Sequence, residues 1–228
     1  MNICLIPARG GSKRIKNKNI KIFFKKPFLS FAIKTALKSK IFSKVYVSTD
    51  NIKIANIAKK NGAKIPFIRP KKISSDKSTD LDVINHFLNH VKRKKIKVDT
   101  LCYLYPVTPL LSAKTLKKCY KILKNKNIPK VMTIGKFSYP VQRALIKKRN
   151  GEVSFFSKKY SSSRSQDLKD YYHDAGQCYW FNIKKYNLQK ISRNLKTIGL
   201  ELKQNEFKDV DTKDDLEMLE ILYKFNKR

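Results

Sequence analysis

No stretch of the sequence approaches the roughly 18 consecutive apolar residues that a membrane-spanning helix needs. The opening run from Met1 to Ile6 is too short and wrongly flanked for a secretory signal. The expectation is a soluble, cytoplasmic protein with no membrane partner. Cysteine is sparse, and Cys4, Cys102, Cys119 and Cys178 show no C-x-x-C spacing, so they read as reduced core thiols. His86 and His90 lie four apart in a helical pattern, but no Glu accompanies them as in H-E-x-x-H, which leaves a weak signal for a metal. The glycines form neither a G-x-x-x-x-G-K-[ST] phosphate loop nor a G-x-G-x-x-G dinucleotide fingerprint.

Acidic residues are few, 17 against 52 basic ones, for a net charge of +35 in 228 residues. Such a balance invites a nucleic-acid reading, because a basic surface attracts phosphates and releases their counterions. Yet only nine of the basic residues are Arg, and the lysines are spread along the whole chain among abundant Asn and Ile. That pattern fits a solvated surface and a bias toward AT-rich codons better than a clustered Arg-and-aromatic interface. A basic nucleic-acid-binding protein on the same fold stays as the alternative from another class, and no nucleic acid is expected as partner.

What the chain does have is a βαβ rhythm. "NICLIPA", "KVYVSTD", "TLCYLYPV" and "KVMTIG" read as strands, with "IPFIRP" as a further short one. Between them, "PFLSFAIKTALKSK", "NIKIANIAKKNGA", "LDVINHFLNHVKRK" and "SAKTLKKCYKILKN" read as amphipathic helices. Helix-length crossovers specify a mostly parallel sheet covered on both faces, whose sites gather at the carboxyl ends of the strands. The rhythm breaks over 136–190, read partly as a small lobe over the sheet edge that ends in the aromatic strand "AGQCYWFNI". Thr212 and Asp215 then form a capping-box-like start to a last helix. The whole is expected to be one α/β domain of three layers, 1–228.

Two motifs carry chemistry. "IPARGGSKRIKNKN", from Ile6 to Asn19, leaves the first strand at its carboxyl end, where backbone amides and basic side chains converge on an anionic ligand. "DVD", Asp209 to Asp211, places two carboxylates on one side of the chain, a pair able to hold a hard divalent cation that bridges phosphate oxygens. Either motif alone is weak. Together they suit transfer at a nucleotide phosphate.

With "VYVSTD", "IRPKKISSD", "YPVTPLL" and "RSQDLKDYYHDAGQCYW" between them, these motifs resemble in order those of the CMP-acylneuraminate (nonulosonic acid) cytidylyltransferase family. The resemblance covers essentially the whole chain. Within the family, "YYHDAGQCYW" is more similar to the pseudaminic acid branch than to the sialic acid enzymes, which typically read N-G-A-I-Y there. The sialic and legionaminic acid branches are the alternatives. The resemblance implies a Rossmann-like fold of the nucleotide-diphospho-sugar transferase type, CTP and a nonulosonic acid as substrates, and Mg2+. It also implies a homodimer in which the lobe shapes the partner's site.

By the same resemblance, Arg9, Ser12, Lys13, Lys18, Asn19 and Arg69 bind CTP, and Asp209 and Asp211 bind magnesium. Arg9, Lys18 and Asp211 are then the catalytic residues, while Tyr105, Arg164, Gln166, Tyr172, Gln177 and Tyr179 fall where the family binds the sugar acid. His173 is a further residue at the sugar, or a plain surface histidine. The chain departs from the sialic acid pattern at Tyr105, where a Gln is usual, and at Leu111, just after the P-L pair, where an Arg is usual. Both changes remove polar groups beside the sugar pocket and favour a deoxy sugar. Lys16 replaces a usual Pro, which loosens the loop without removing a ligand.

Overall fold

The computed structural model describes residues 1–186 and 195–227, so 187–190 of the stretch expected as a lobe lie outside the described residues. The strands in chain order are β1 (Asn2–Pro7), β2 (Ile22–Phe23), β3 (Lys26–Pro27), β4 (Lys44–Ser48), β5 (Thr100–Leu104), β6 (Lys130–Lys136), β7 (Leu145–Lys147), β8 (Val153–Phe155), β9 (Tyr172–Asn182) and β10 (Thr197–Leu202). The helices are α1 (Phe28–Ser39), α2 (Ile52–Lys60), α3 (Asp80–Arg93), α4 (Ala113–Asn125) and α5 (Lys213–Phe225). Six strands form one sheet in the order β10-β6-β9-β5-β1-β4, while β2-β3 and β7-β8 are separate hairpins. All pairings in the large sheet are parallel except those of β9, which runs antiparallel to both β5 and β6.

The unbroken apolar runs of β1 and β5 are explained by burial on both faces. Cys4, Ile6, Cys102 and Leu104 point to a core shared with α1 and α4, and Ile3, Leu5, Leu101 and Tyr103 point to a core shared with α3. Each strand therefore supplies two cores by simple alternation. The four cysteines are free and buried in this interior, and burial pushes the Cys102 thiol well above its ordinary pKa. His86 and His90 both set their rings against Phe67.

Three elements differ from what the sequence suggests. "IPFIRP" is not a strand: it pairs with the sheet through the single bridge Thr49 to Ile68, with Tyr46 to Lys64 just before it, because Pro66 and Pro70 have no N–H to give a ladder. The aromatic stretch expected to end the lobe is β9, in the middle of the sheet, so the part of that stretch that leaves the sheet before it is 137–171. The edge strand β10 has no strong sequence signal; Gly199 lets it lie close to β6, where an added Cβ would sit 2.5 Å from Ile134 Cδ1. The capping box at the start of α5 is present in full: Thr212 Oγ1 accepts from Asp215 N and the Asp215 carboxylate accepts from Thr212 N.

Candidate active site

The carboxyl ends of β1, β5 and β10 release the basic loop, the 105–108 turn and the segment leading to Asp209, all onto one rim. The loop is tied back at three points. Gly10 N donates to Asp50 Oδ1 at 2.8 Å, Ala8 N donates to Ser48 O at 2.9 Å, and the buried Asn19 donates from Nδ2 to Arg9 O at 2.8 Å. Gly10 sits in a tight place: a Cβ there would meet Asn51 Nδ2 at 3.0 Å, so Asn51, which caps α2, would have to give way. Asn19 thus shapes the loop.

A cavity of about 370 Å³ opens under this loop. Arg9, Ser12, Lys13, Lys18 and Asn19 line one side, Arg69 and Tyr105 line another, and Asp209 and Asp211 line the far side. Lys18 joins the two chain ends: its Nζ donates to Val210 O at 2.6 Å and lies 3.3 Å from Asp211 Oδ1. Arg14 also reaches Asp211 Oδ1, at 2.8 Å. Arg69 is only 4% exposed; burial lowers its pKa, while Tyr103, Asp50 and Asp80 act the other way. Its Nε donates to Ser74 Oγ at 3.1 Å, so the guanidinium is held in place before any ligand arrives.

Two acids in this cavity have no assigned role in the sequence analysis. Asp76 pairs with Arg9 Nη1 at 2.8 Å and also with Lys13, and the Lys13 bond is the main cause holding its carboxyl below the usual carboxylate range. Asp80, in the first turn of α3, accepts from Tyr103 Oη at 2.8 Å and from Tyr105 Oη at 2.5 Å. Burial, and then Asp80, push both phenols above their ordinary range. The residue identities alone gave little sign of this, since Asp80 reads as an ordinary acid at a helix start.

Asp80, Tyr103 and Tyr105 also form a wall of a second cavity, of about 320 Å³, which Tyr179, Lys130 and Asp174 line from the other side. Tyr179 Oη donates to Asp174 Oδ2 at 2.7 Å. A third, open cavity contains His173, Asp174, Asp209 and Asp211. The three cavities therefore surround one centre, with Asp209 and Asp211 shared by the first and third and Asp174 by the second and third.

Of the residues expected at the sugar acid, Tyr105, Tyr179 and His173 line these cavities, and Arg164, Gln166, Tyr172 and Gln177 do not. Gln177 is buried, with its Nε2 turned back onto Ala175 O and Gly176 O. The physical reason is the backbone at Gly176, where φ is +60° and the ladder with β6 shifts register, which breaks the alternation that would face Gln177 outward. Tyr172 is exposed at the start of β9, and Arg164 and Gln166 are exposed in the 137–171 segment.

The arrangement can bind a polyanion on the loop cations and hold a hard cation between the anion and the two acids. Asp209 and Asp211 are oxygen donors on one cavity wall, and Asp211 already attracts two cations. Magnesium is commonly bound by one or two carboxylates plus substrate phosphates, so this donor set fits it.

Comparison with known proteins agrees with this chemistry. Residues 3–208 match the family described as Cytidylyltransferase. The chain is 39% identical over 225 residues to a pseudaminic acid cytidylyltransferase of Campylobacter jejuni subsp. jejuni serotype O:2, covering 99% of this chain and 97% of that one. It is 26% identical over 217 residues to the N-acylneuraminate cytidylyltransferase of Escherichia coli O18:K1:H7, covering 95% of this chain and half of that protein. Among solved structures, a CMP:2-keto-3-deoxy-manno-octonic acid synthetase complexed with CTP superposes with a TM-score of 0.72 at 17% identity, covering 99% of both chains, which is a likeness of fold.

Proposed function

The chain belongs to the cytidylyltransferase family, and we propose that it transfers CMP from CTP to the anomeric hydroxyl of pseudaminic acid, releasing pyrophosphate. The observation that carries this reading is the meeting of the basic loop and the acid pair across one cavity, through Lys18 and Asp211. The higher identity to the pseudaminic acid enzyme than to the N-acylneuraminate enzyme supports the choice of sugar.

The chemistry needs little from the protein beyond charge and position. The sugar hydroxyl oxygen attacks the α-phosphorus; the new ester bond forms as the bond to the bridging oxygen breaks, the hydroxyl proton is lost, and pyrophosphate leaves with the electron pair. Arg9 and Lys13 face the side where negative charge grows, and they must exchange Asp76 for the phosphates. Lys18, held against Asp211, sits between the acid pair and the loop and orients the α-phosphate. Arg69, buried and fixed by Ser74, holds the nucleotide without the cost of ordering a mobile side chain. Asp209 and Asp211 would hold magnesium, which supplies charge neutralisation and activates the hydroxyl.

Tyr105 donates its hydroxyl hydrogen bond to Asp80, so it offers an incoming sugar a ring and a lone pair rather than the two-sided amide of a Gln. A methyl-ended tail fits such a wall better than one rich in hydroxyls.

The 137–171 segment exposes Tyr139, Leu145, Val153 and Phe156 at 57–73%. Apolar side chains this open, on a segment outside the sheet, suit a second copy of the chain as partner. In that homodimer Arg164 and Gln166 would serve the partner's sugar site. No helix among the described residues is long and apolar enough to cross a membrane.

The test is pyrophosphate release from CTP against a panel of nonulosonic acids with magnesium. The reading predicts release with pseudaminic acid; no release with any member would contradict it.

A further inference from the structure

The acid pair reaches the cavity on a stretch of chain, 203–211, whose buried side chains are Phe207 and Val210. Downstream of Asp209 this stretch is held several times over. Val210 packs with Phe23 and Phe28, Val210 O accepts from Lys18 Nζ, and Asp211 N donates to Asp215 Oδ2. Upstream, none of 203–206 is buried, and Phe207 is the side chain that fixes the approach. The mechanism gives it no part.

The seat of Phe207 is built by β6, β9 and β10. Gly135 of β6 pairs with Leu202 of β10 on one side and with His173 of β9 on the other, so the three present one face. The Phe207 ring lies on Gly135 between these neighbours: it packs with Leu202 and Ala175, and its centre is 5.6 Å from that of the His173 ring. A side chain at 135 would remove the seat, since an added Cβ would stand 2.1 Å from Phe207 Cζ. A buried ring cannot swing clear at small cost, so the backbone must give, and Asp209 lies two residues on. Asp209 itself lies beside Gly176, where an added Cβ would stand 3.9 Å from Asp209 Cγ.

We propose that Phe207 is a positioning residue of the reaction: seated on Gly135, it sets where Asp209 and Asp211 face the cavity, and hence how tightly the pair holds its cation. The inference rests on the cytidylyltransferase reading and adds to it a residue that acts through the acids rather than on the substrates. The His173 ring, 4.9 Å from that of Phe137, continues the row to the neck of the 137–171 segment, where Phe137 N donates to Tyr171 O at 3.0 Å. The acid pair and that segment thus share one support.

The experiment compares wild type, Gly135→Ala, Phe207→Leu and the two changes combined. One reading is the magnesium concentration at half of the rise in melting temperature that CTP and magnesium produce together. The other is kcat and KM for CTP at saturating magnesium. Each single change should raise the half-saturating magnesium concentration about tenfold and lower kcat about tenfold, the effect of losing the support behind a metal ligand, while the KM for CTP stays within about threefold. With both changes the ring is gone and the added methyl has space, so most of the loss should be recovered. Losses that simply add in the combined variant would overturn the proposal. So would a lower melting temperature without ligand beside an unchanged magnesium midpoint, the signature of a merely structural role. Phe207→Leu only makes the side chain smaller, and it carries the same test should Gly135→Ala not fold. Wild type that gains no stability from CTP with magnesium and releases no pyrophosphate would instead remove the functional reading beneath it.

Discussion

Lys18 and Asp211, 193 positions apart in the chain, meet at 3.3 Å between Nζ and Oδ1. The contact joins the loop after the first strand to the acids before the last helix, so one residue from each end forms the centre of the site. Replacing Asp211 by Asn keeps the size of the side chain and removes its charge. Turnover should fall by about a hundredfold or more. Because partly exposed ion pairs contribute about 1 kcal/mol or less, the melting temperature should drop by no more than about 3 °C. Steady-state kinetics beside a thermal melt checks both halves.

Asp76 occupies Arg9 and Lys13, the cations proposed above to hold the triphosphate. Removing it with Asp76→Ala takes a competing anion out of the cavity. Calorimetry should show CTP binding tighter by about threefold. Weaker binding would mean that Asp76 helps to hold the nucleotide.

The start of α5 depends on its capping box. Thr212→Ala should cost about 1 kcal/mol in denaturant unfolding. Asp215 lies well below the usual carboxylate range, first through Lys208 and then through the backbone N–H groups of Asp211 and Thr212. A depressed folded pKa gives stability that is full above the unfolded pKa and lost as the pH falls below it. The melting-temperature gap between wild type and Asp215→Asn should therefore be full near neutrality and shrink below about pH 4.

Much of the fold is legible in the sequence, because Ile3 to Ile6 and Leu101 to Leu104 must be buried on both faces and are apolar throughout. That the basic loop and the acid pair share one cavity is legible too, because both leave parallel strands at their carboxyl ends. Asp80 and Asp174 are not: Asp80 takes its role from the phenols of Tyr103 and Tyr105, which come from a distant strand and the turn after it, and Asp174 takes its role from Tyr179 across the irregular part of its own strand. The inward turn of Gln177 is not legible either, because it comes from one residue at positive φ, Gly176, within an irregular part of the strand. The position of β9 in the middle of the sheet is a matter of long-range pairing, on which local patterns carry no information.

Tyr105 can be tested apart from the acids. Tyr105→Gln frees Asp80 of one donor and supplies an amide to the sugar side. The selectivity for pseudaminic acid over N-acetylneuraminic acid should narrow by about three- to tenfold, read as a ratio of kcat/KM values. An unchanged ratio would take Tyr105 out of the sugar-recognising wall.

The most direct measurement is a competition. The protein is given CTP, magnesium and equal amounts of pseudaminic acid and N-acetylneuraminic acid, and the two CMP-sugars are counted by mass spectrometry at early times. The account predicts CMP-pseudaminic acid in excess by about tenfold or more; equal amounts, or an excess of CMP-N-acetylneuraminic acid, would contradict it.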